Sequence, residues 1–249
     1  MTRGSQTKNK PHVVIIGGGF GGLYAAKTLG RAGTPVTLVD KRNFHLFQPL
    51  LYQVATGGLS PGDIASPLRS ILKNRSSINV VMGLVTDIDP LECKLTINDK
   101  VIRYDSAIIA TGITHHYFGN YHWAKYAPGL KTVEDALEIR QRIFLAFELA
   151  EQSDDPEMRR NLMTIIVIGA GATGVELAGA IGELTRSTLK NDFKNIDTRK
   201  ARIILVESED RPLTTFAPRL SRAARRSLEK LGVTVMTGAR VTDLKRNIV

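Results

Sequence analysis

An α/β chain built from two parallel β-α-β units is the fold the sequence predicts, and three observations predict it. A short apolar strand runs into a glycine-rich turn twice, at Gly17 and again at Gly169, 152 residues further on. Each turn opens a helix of small residues, and each following strand ends in an acid, Asp40 and Glu207. Connections this short imply parallel strands and right-handed crossovers. Two copies so far apart mark duplication of a domain, because solenoid repeats recur every 20–50 residues or so.

In the first unit, Val13–Ile16 reads as a buried strand, followed by a helix from about Leu23 to Arg31 capped by Gly33, and by a second strand, Val36–Asp40. Residues 44–75 lack a clean period and carry Pro49, Gly57, Gly58, Pro61, Gly62 and Pro67, so loop and short helix wrapping a ligand or forming a lid are expected. Strands near 78–85, 92–97 and 101–109 follow. The polar turn Asn98-Asp99-Lys100 joins the last two as an antiparallel β-meander. Residues 115–131 read as an irregular connection, and Thr132 with Asp135 reads as a capping box opening a helix to about Gln152. The second unit comprises a strand at 164–168, a helix to about Leu189, a strand from Arg202 to Glu207, a helix over 219–231 ended by Gly232, and a strand at Val233–Met236.

Composition narrows the function classes. The chain has 249 residues, 43% hydrophobic and 23% charged, which supports a packed core. Its net charge of +10 draws it toward anionic partners. The cations are scattered, and no nucleic-acid-binding signature accompanies them, so no nucleic acid partner is expected. The densest basic stretch is Arg219, Arg222, Arg225, Arg226 and Lys230 on an amphipathic helix, readable as a solvated face or as a membrane-surface or partner contact. The segment Met1–Lys10 is polar and basic and lacks the apolar core of a secretory signal. Leu162 to Gly182 carries one charge, Glu176, and has the length of a membrane span, but Gly169, Gly171 and Gly174 and a β-branched run identify a buried strand and a helix face instead. The one cysteine, Cys93, on a stretch that reads as a strand edge, rules out a Cys-x-x-Cys redox centre within this sequence. His115, His116 and His122 lack acids or cysteines at ligand spacing, so no metal is expected.

The chemistry lies in the turns. Gly17-Gly18-Gly19-Phe20-Gly21-Gly22 is a Rossmann-type dinucleotide fingerprint. Its first glycine permits the tight turn, its second lets backbone approach a pyrophosphate, and its third lets helix pack on strand. The helix N-terminus then presents N–H groups and a positive dipole end to the phosphates. Asp40 lies 23 residues after Gly17, close to the roughly 20 expected of a carboxylate that holds ribose hydroxyls. The second fingerprint is Gly169-Ala170-Gly171-Ala172-Thr173-Gly174, and its acid, Glu207, is 38 residues from Gly169, so a longer helix or an inserted loop is expected around 190–200. A carboxylate there repels a 2′-phosphate and favours NADH over NADPH, although Arg211 stands nearby.

Ala110-Thr111-Gly112 at a strand end, together with the two fingerprints, resembles the two-dinucleotide-binding flavoproteins, whose glutathione-reductase-like FAD/NAD(P)-binding fold is therefore expected. The runs from Phe47 to Gly57 and from Gly171 to Gly179 narrow the resemblance to the type II NADH:quinone oxidoreductases, single-chain, non-pumping enzymes of the membrane surface. The resemblance implies an FAD-binding domain over 11–125 and an NADH-binding domain over 126–249. It implies hydride passage from NADH to FAD, then two electrons to a membrane quinone of the respiratory chain. It extends the cofactor contacts to Lys41, Pro49, Leu50 and Val85 and gives Glu176 a functional role beside the reacting rings. A lone charge in an apolar run also calls for a reason of its own, since the dipole favours an acid in a first helical turn; simple helix capping is the alternative. The family further implies a homodimer in its full-length form and a cytoplasmic place, peripheral to the inner face of the cell membrane. Its members continue past the point matching Val249, so a fragment, a truncated reading frame or one partner of a split protein is expected. Two alternatives stay open: a flavoprotein reductase of another acceptor such as ferredoxin, and an inactive dinucleotide-binding remnant.

Overall fold

The computed structural model describes residues 10–245; residues 1–9 of the polar N-terminal stretch lie outside them. The described residues form two compact units: one holds those up to Phe47 with Ala65–Thr114, the other Gln48–Ile64 and those from His115 onward.

In the first unit, strand β1 (Val13–Ile16) leads through helix α1 (Phe20–Arg31) to strand β2 (Val36–Asp40). Gly33, at φ +66°, ends the helix as expected. The stretch expected to be loop is instead a series of short elements: β3 (Phe44–Leu46), a 3₁₀ turn at Gln48–Leu50, α2 (Leu51–Ala55), α3 (Pro61–Ile64), β4 (Ala65–Pro67) and α4 (Leu68–Leu72). Strands β3 and β4 pair antiparallel, drawing the ends of the stretch together, while its middle belongs to the other unit. No period survives in elements of three to five residues, which is why the pattern looked irregular.

Five strands stand where three were expected: β5 (Ile78–Met82), β6 (Val85–Asp89), β7 (Lys94–Ile97), β8 (Lys100–Arg103) and β9 (Ser106–Ile109). The middle three form the antiparallel meander. Its turn residues Asn98 and Asp99 both take positive φ, +45° and +66°, the mirror-image turn that matches the twist of paired strands. The outer two leave it for the main sheet, whose order β5-β2-β1-β9 is parallel throughout. Gly83, whose missing Cβ makes room for the Ile97 side chain, lies at the break between β5 and β6. Cys93 is exposed and sits in the turn before β7, at φ +49°.

Alternation along β1 explains why a fully apolar strand was needed. Val13 and Ile15 face a core with Leu23, Ala26, Leu68 and Leu72, whereas Val14 and Ile16 face a second core with Val39, Leu95 and Ile97. One face is covered by helices and the other by the meander, so neither tolerates a polar residue. Complete burial contributes about 1.5–3 kcal/mol for each side chain such as Ile15 or Leu38.

The second unit contains α5 (Val133–Gln152), opened by the capping box of Thr132 and Asp135, and a helix the sequence reading missed, α6 (Pro156–Leu162), with Asp155 as its cap. Strand β10 (Thr164–Ile168), α7 (Ala172–Glu183), β11 (Arg202–Val206), α8 (Pro218–Lys230) and β12 (Val233–Met236) build a parallel sheet in the order β10-β11-β12. A five-residue π turn, Leu184–Thr188, continues α7 toward the expected end. No helix among the described residues is long and apolar enough to cross a membrane.

Candidate dinucleotide sites

The two glycine turns are built alike. Gly17 and Gly169 take φ of +106° and +92°, a region costly for any residue with a Cβ. Their amides donate to the carbonyls of Val39 and Val206, at 2.7 and 2.8 Å, tying each turn to the end of the neighbouring strand. Gly22 and Gly174 sit where a Cβ would overlap the carbonyl oxygen of Gly17 and of Gly169, so the helix lies directly on the turn. Helix caps Gly19 and Gly171 offer no side-chain acceptor, and neither first turn contains an acid. Among the described residues, no side-chain carboxylate is hydrogen-bonded to the first N–H groups of either helix, as an anion-binding turn requires.

Each acid holds the second residue of its own turn. The Gly18 amide donates to Asp40 Oδ2 at 2.5 Å, and the Ala170 amide to Glu207 Oε2 at 2.6 Å. The carbonyls of the same residues are also tied. Gly18 accepts from His45 Nδ1 at 3.0 Å, and Ala170 from the Leu213 amide at 2.8 Å. A carbonyl cannot donate, so Nδ1 of the buried His45 bears the proton. His45 and Leu213 were not anticipated. A lone histidine in an irregular run gives no warning of its partner. Leu213 is held at φ +53°, which only a glycine at that position would have signalled.

Arg42 donates its amide to Asp40 Oδ1, while Ser208 and Glu209 donate to Glu207 Oε1. An ionised carboxylate accepts at about four lone-pair positions, so Asp40 keeps more capacity for ribose hydroxyls than Glu207 does. Burial pushes the Glu207 carboxyl up, but donors from Glu209, Ala170 and Ser208 outweigh it and hold it below its ordinary value. Arg211 is engaged within the unit. Its guanidinium donates to the Phe216 and Thr214 carbonyls and the Ser221 hydroxyl, all at 2.9–3.0 Å.

Around the first turn, Ala110 closes over Gly17, whose missing Cβ would overlap the Ala110 carbonyl. Thr111 and Gly112 follow, exposed. Phe20 stands edge-on to His45 and Phe47, with centroids 4.9 and 5.6 Å away. Lys41 is exposed directly after Asp40, and Val85 packs on the core beneath the strands. Pro49 and Leu50 fall in the 3₁₀ turn of the other unit.

Glu176 corrects an expectation. The turn uses residues up to Gly171, so α7 starts at Ala172 and its first turn holds no acid; Glu176 is in the second turn. The dipole gives it little there, and burial pushes its carboxyl up. Helix α2, from the 47–57 motif, packs against both α7 and α5, so the motif meets the helix that carries Glu176.

Residues 11–249 match the pyridine nucleotide-disulphide oxidoreductase family. The chain is 48% identical over 248 residues to the type II NADH:quinone oxidoreductase Ndh of Mycobacterium tuberculosis, covering 98% of this chain and 53% of that protein. NdhA of the same organism is 48% identical, with 96% and 52% covered. The structure of NDH2 from Plasmodium falciparum in complex with NADH superimposes with a TM-score of 0.87 at 26% identity, covering 95% of this chain and 50% of that one. The chain thus spans about half the length of the curated relatives it matches.

Proposed function

The chain belongs to the pyridine nucleotide-disulphide oxidoreductase family, and from that premise we propose that it is the dinucleotide-binding part of an FAD-dependent NADH:quinone oxidoreductase. The observation that carries the proposal is the glycine turn built twice with its acid closed onto it. One such turn serves one dinucleotide, and a second implies electron transfer between two. The disulphide branch of the family needs a cysteine pair, and this sequence has only Cys93.

Residues 11–125 are proposed to hold FAD and residues 126–249 NADH. Gly17–Gly22 would hold the FAD diphosphate, with Asp40 on the ribose and Lys41, Val85 and Ala110–Gly112 around the cofactor; Pro49 and Leu50 are proposed to complete its surroundings. The missing Cβ atoms of Gly17 and Gly22 fit that cradle, because a side chain at either would overlap a backbone carbonyl and disrupt the turn. Gly169–Gly174 would hold the NADH diphosphate, with Glu207 on the ribose. Its ionised carboxyl, and the commitment of Arg211 elsewhere, favour NADH over NADPH. Bound FAD would supply the two-electron chemistry between NADH and quinone. Glu176, an exposed residue whose carboxyl is pushed up by partial desolvation, would position the nicotinamide or supply a proton to the quinone. We further propose action at the inner face of the cell membrane without proton pumping, as a homodimer in full-length form.

Anaerobic NADH addition to the FAD-reconstituted chain, followed by a short-chain quinone, tests this. The flavin absorbance should bleach and then return. A band that NADH leaves untouched would contradict electron entry, and return only with ferredoxin would reassign the acceptor.

A further inference from the structure

Helix α8 carries five cations, and the structure divides them by task. Arg225 is engaged within the unit: its Nε donates to Glu229 at 3.0 Å and its Nη2 to the Val235 carbonyl at 3.3 Å. Arg219, Arg222, Arg226 and Lys230 are all exposed, and their side chains make no hydrogen bond or ion pair with another described residue. At 100° per residue these four fall within an arc of roughly 80°, in a row about 16 Å long. The opposite face buries Ser221 and Leu228 against the unit. Four exposed like charges on three turns of helix, whose one acid Glu229 is paired with Arg225, repel one another, so the row lowers its energy by meeting an extended negative surface.

The row has an apolar edge. Phe216 and Leu220 are 47% and 45% exposed beside its N-terminal end. Arg211 fixes their presentation, because its guanidinium binds the Thr214 and Phe216 carbonyls and the Ser221 hydroxyl, tying the preceding loop to the first turn of α8. A cation row with an exposed aromatic and an exposed leucine at its N-terminal end fits a membrane surface. There the charges meet anionic headgroups and the apolar side chains enter the interface. An acidic protein would satisfy the charges alone.

We propose that α8, with Phe216, is a docking face for anionic phospholipid, a membrane contact built into the second dinucleotide unit itself. The inference deepens and rests on the membrane reading proposed above, and it is tested by lipid binding rather than turnover.

The 249-residue chain is sedimented with phosphatidylglycerol–phosphatidylcholine vesicles and with pure phosphatidylcholine vesicles, at low and raised salt. The chain should partition onto the anionic vesicles and be released by salt. The Arg222→Gln/Arg226→Gln variant should bind about thirtyfold more weakly, and Arg222→Lys/Arg226→Lys should retain binding. Matching circular dichroism spectra would show that the variants are folded. Equal binding to neutral vesicles, or unchanged binding by the glutamine variant, overturns the proposal. Binding to polyglutamate but to no vesicle also overturns it, by assigning the face to an acidic protein. NADH oxidation with a water-soluble quinone, without vesicles, reports separately on the dehydrogenase reading.

Discussion

The turn after β1 and the turn after β10 share their backbone but not their surroundings. In both, the first glycine takes a positive φ, the last lies against the first carbonyl, and a strand-end acid grips the second residue. Yet β1 is flanked by β2 and β9, so the chain leaving β9 brings Ala110 over Gly17. Among the described residues β10 is an edge strand, and a Cβ on Gly169 would meet nothing within 4 Å. Ile168 of β10 remains 43% exposed, whereas Ile16 of β1 is 7% exposed. The difference teaches that the shared geometry is set locally, by glycine and one acid, and does not depend on how completely the sheet around it is enclosed.

The largest effects should be those common to both turns. Gly22→Ala and Gly174→Ala each force a Cβ onto a carbonyl oxygen, and each should cost more than about 3 kcal/mol in denaturant unfolding. If either variant unfolds like the parent, that helix does not lie on its turn as described.

The next pair should separate the turns. Gly17→Ala meets both an unfavourable φ and the Ala110 carbonyl, for roughly 2–4 kcal/mol, whereas Gly169→Ala meets only the φ, for about 1–2 kcal/mol. Equal losses would erase the contrast.

A smaller effect concerns what holds the second residue. His45→Ala leaves the Gly18 carbonyl without its donor and should cost about 1–2 kcal/mol, as read from thermal melts. Glu207→Gln should cost about 1 kcal/mol at pH 7, allowing for solvent screening. The Glu207 carboxyl titrates below its ordinary 4.5 in the folded chain, so its stabilisation is present above that value and is lost as pH falls through the lower folded value. Parent and variant melts should converge on acidification, and a difference that grows toward low pH would show the sign to be wrong.

The smallest effect runs the other way. Burial raises the Glu176 carboxyl above 4.5, so its ionised form disfavours the fold at pH values above the raised value, and this penalty vanishes below 4.5. Glu176→Gln should therefore raise Tm slightly at neutral pH and leave it unchanged in acid. A lowered Tm at neutral pH would mean that the glutamate is stabilising where it stands.

What the sequence revealed follows the same division between local and distant causes. The glycine spacings, the apolar strands and the strand-end acids are legible because each acts within one β-α-β unit. The capping box at Thr132 and Asp135 is legible because both partners lie within one turn. The stretches at 78–85 and 101–109 read as single strands because apolar alternation does not record which sheet a strand joins; Gly83 marks one break, and Tyr104 and Asp105 span the other. Glu176 was placed one turn too early because the number of residues the turn consumes before the helix begins is a property of backbone geometry. His45 and Leu213 escaped notice because their partners, Gly18 and Ala170, lie 27 and 43 residues away.

Gly19 and Gly171 allow the most direct test. Both have ordinary negative φ, −70°, and a Cβ at either meets no protein atom within 4 Å, so a side chain there leaves the fold intact and enters the space where a diphosphate would lie. Calorimetric titration of Gly19→Val and Gly171→Val with FAD and with NADH reads each turn separately. Loss of FAD binding alone in the first variant, and of NADH binding alone in the second, is the expected result. Binding of both dinucleotides by both variants, as in the parent chain, would contradict it.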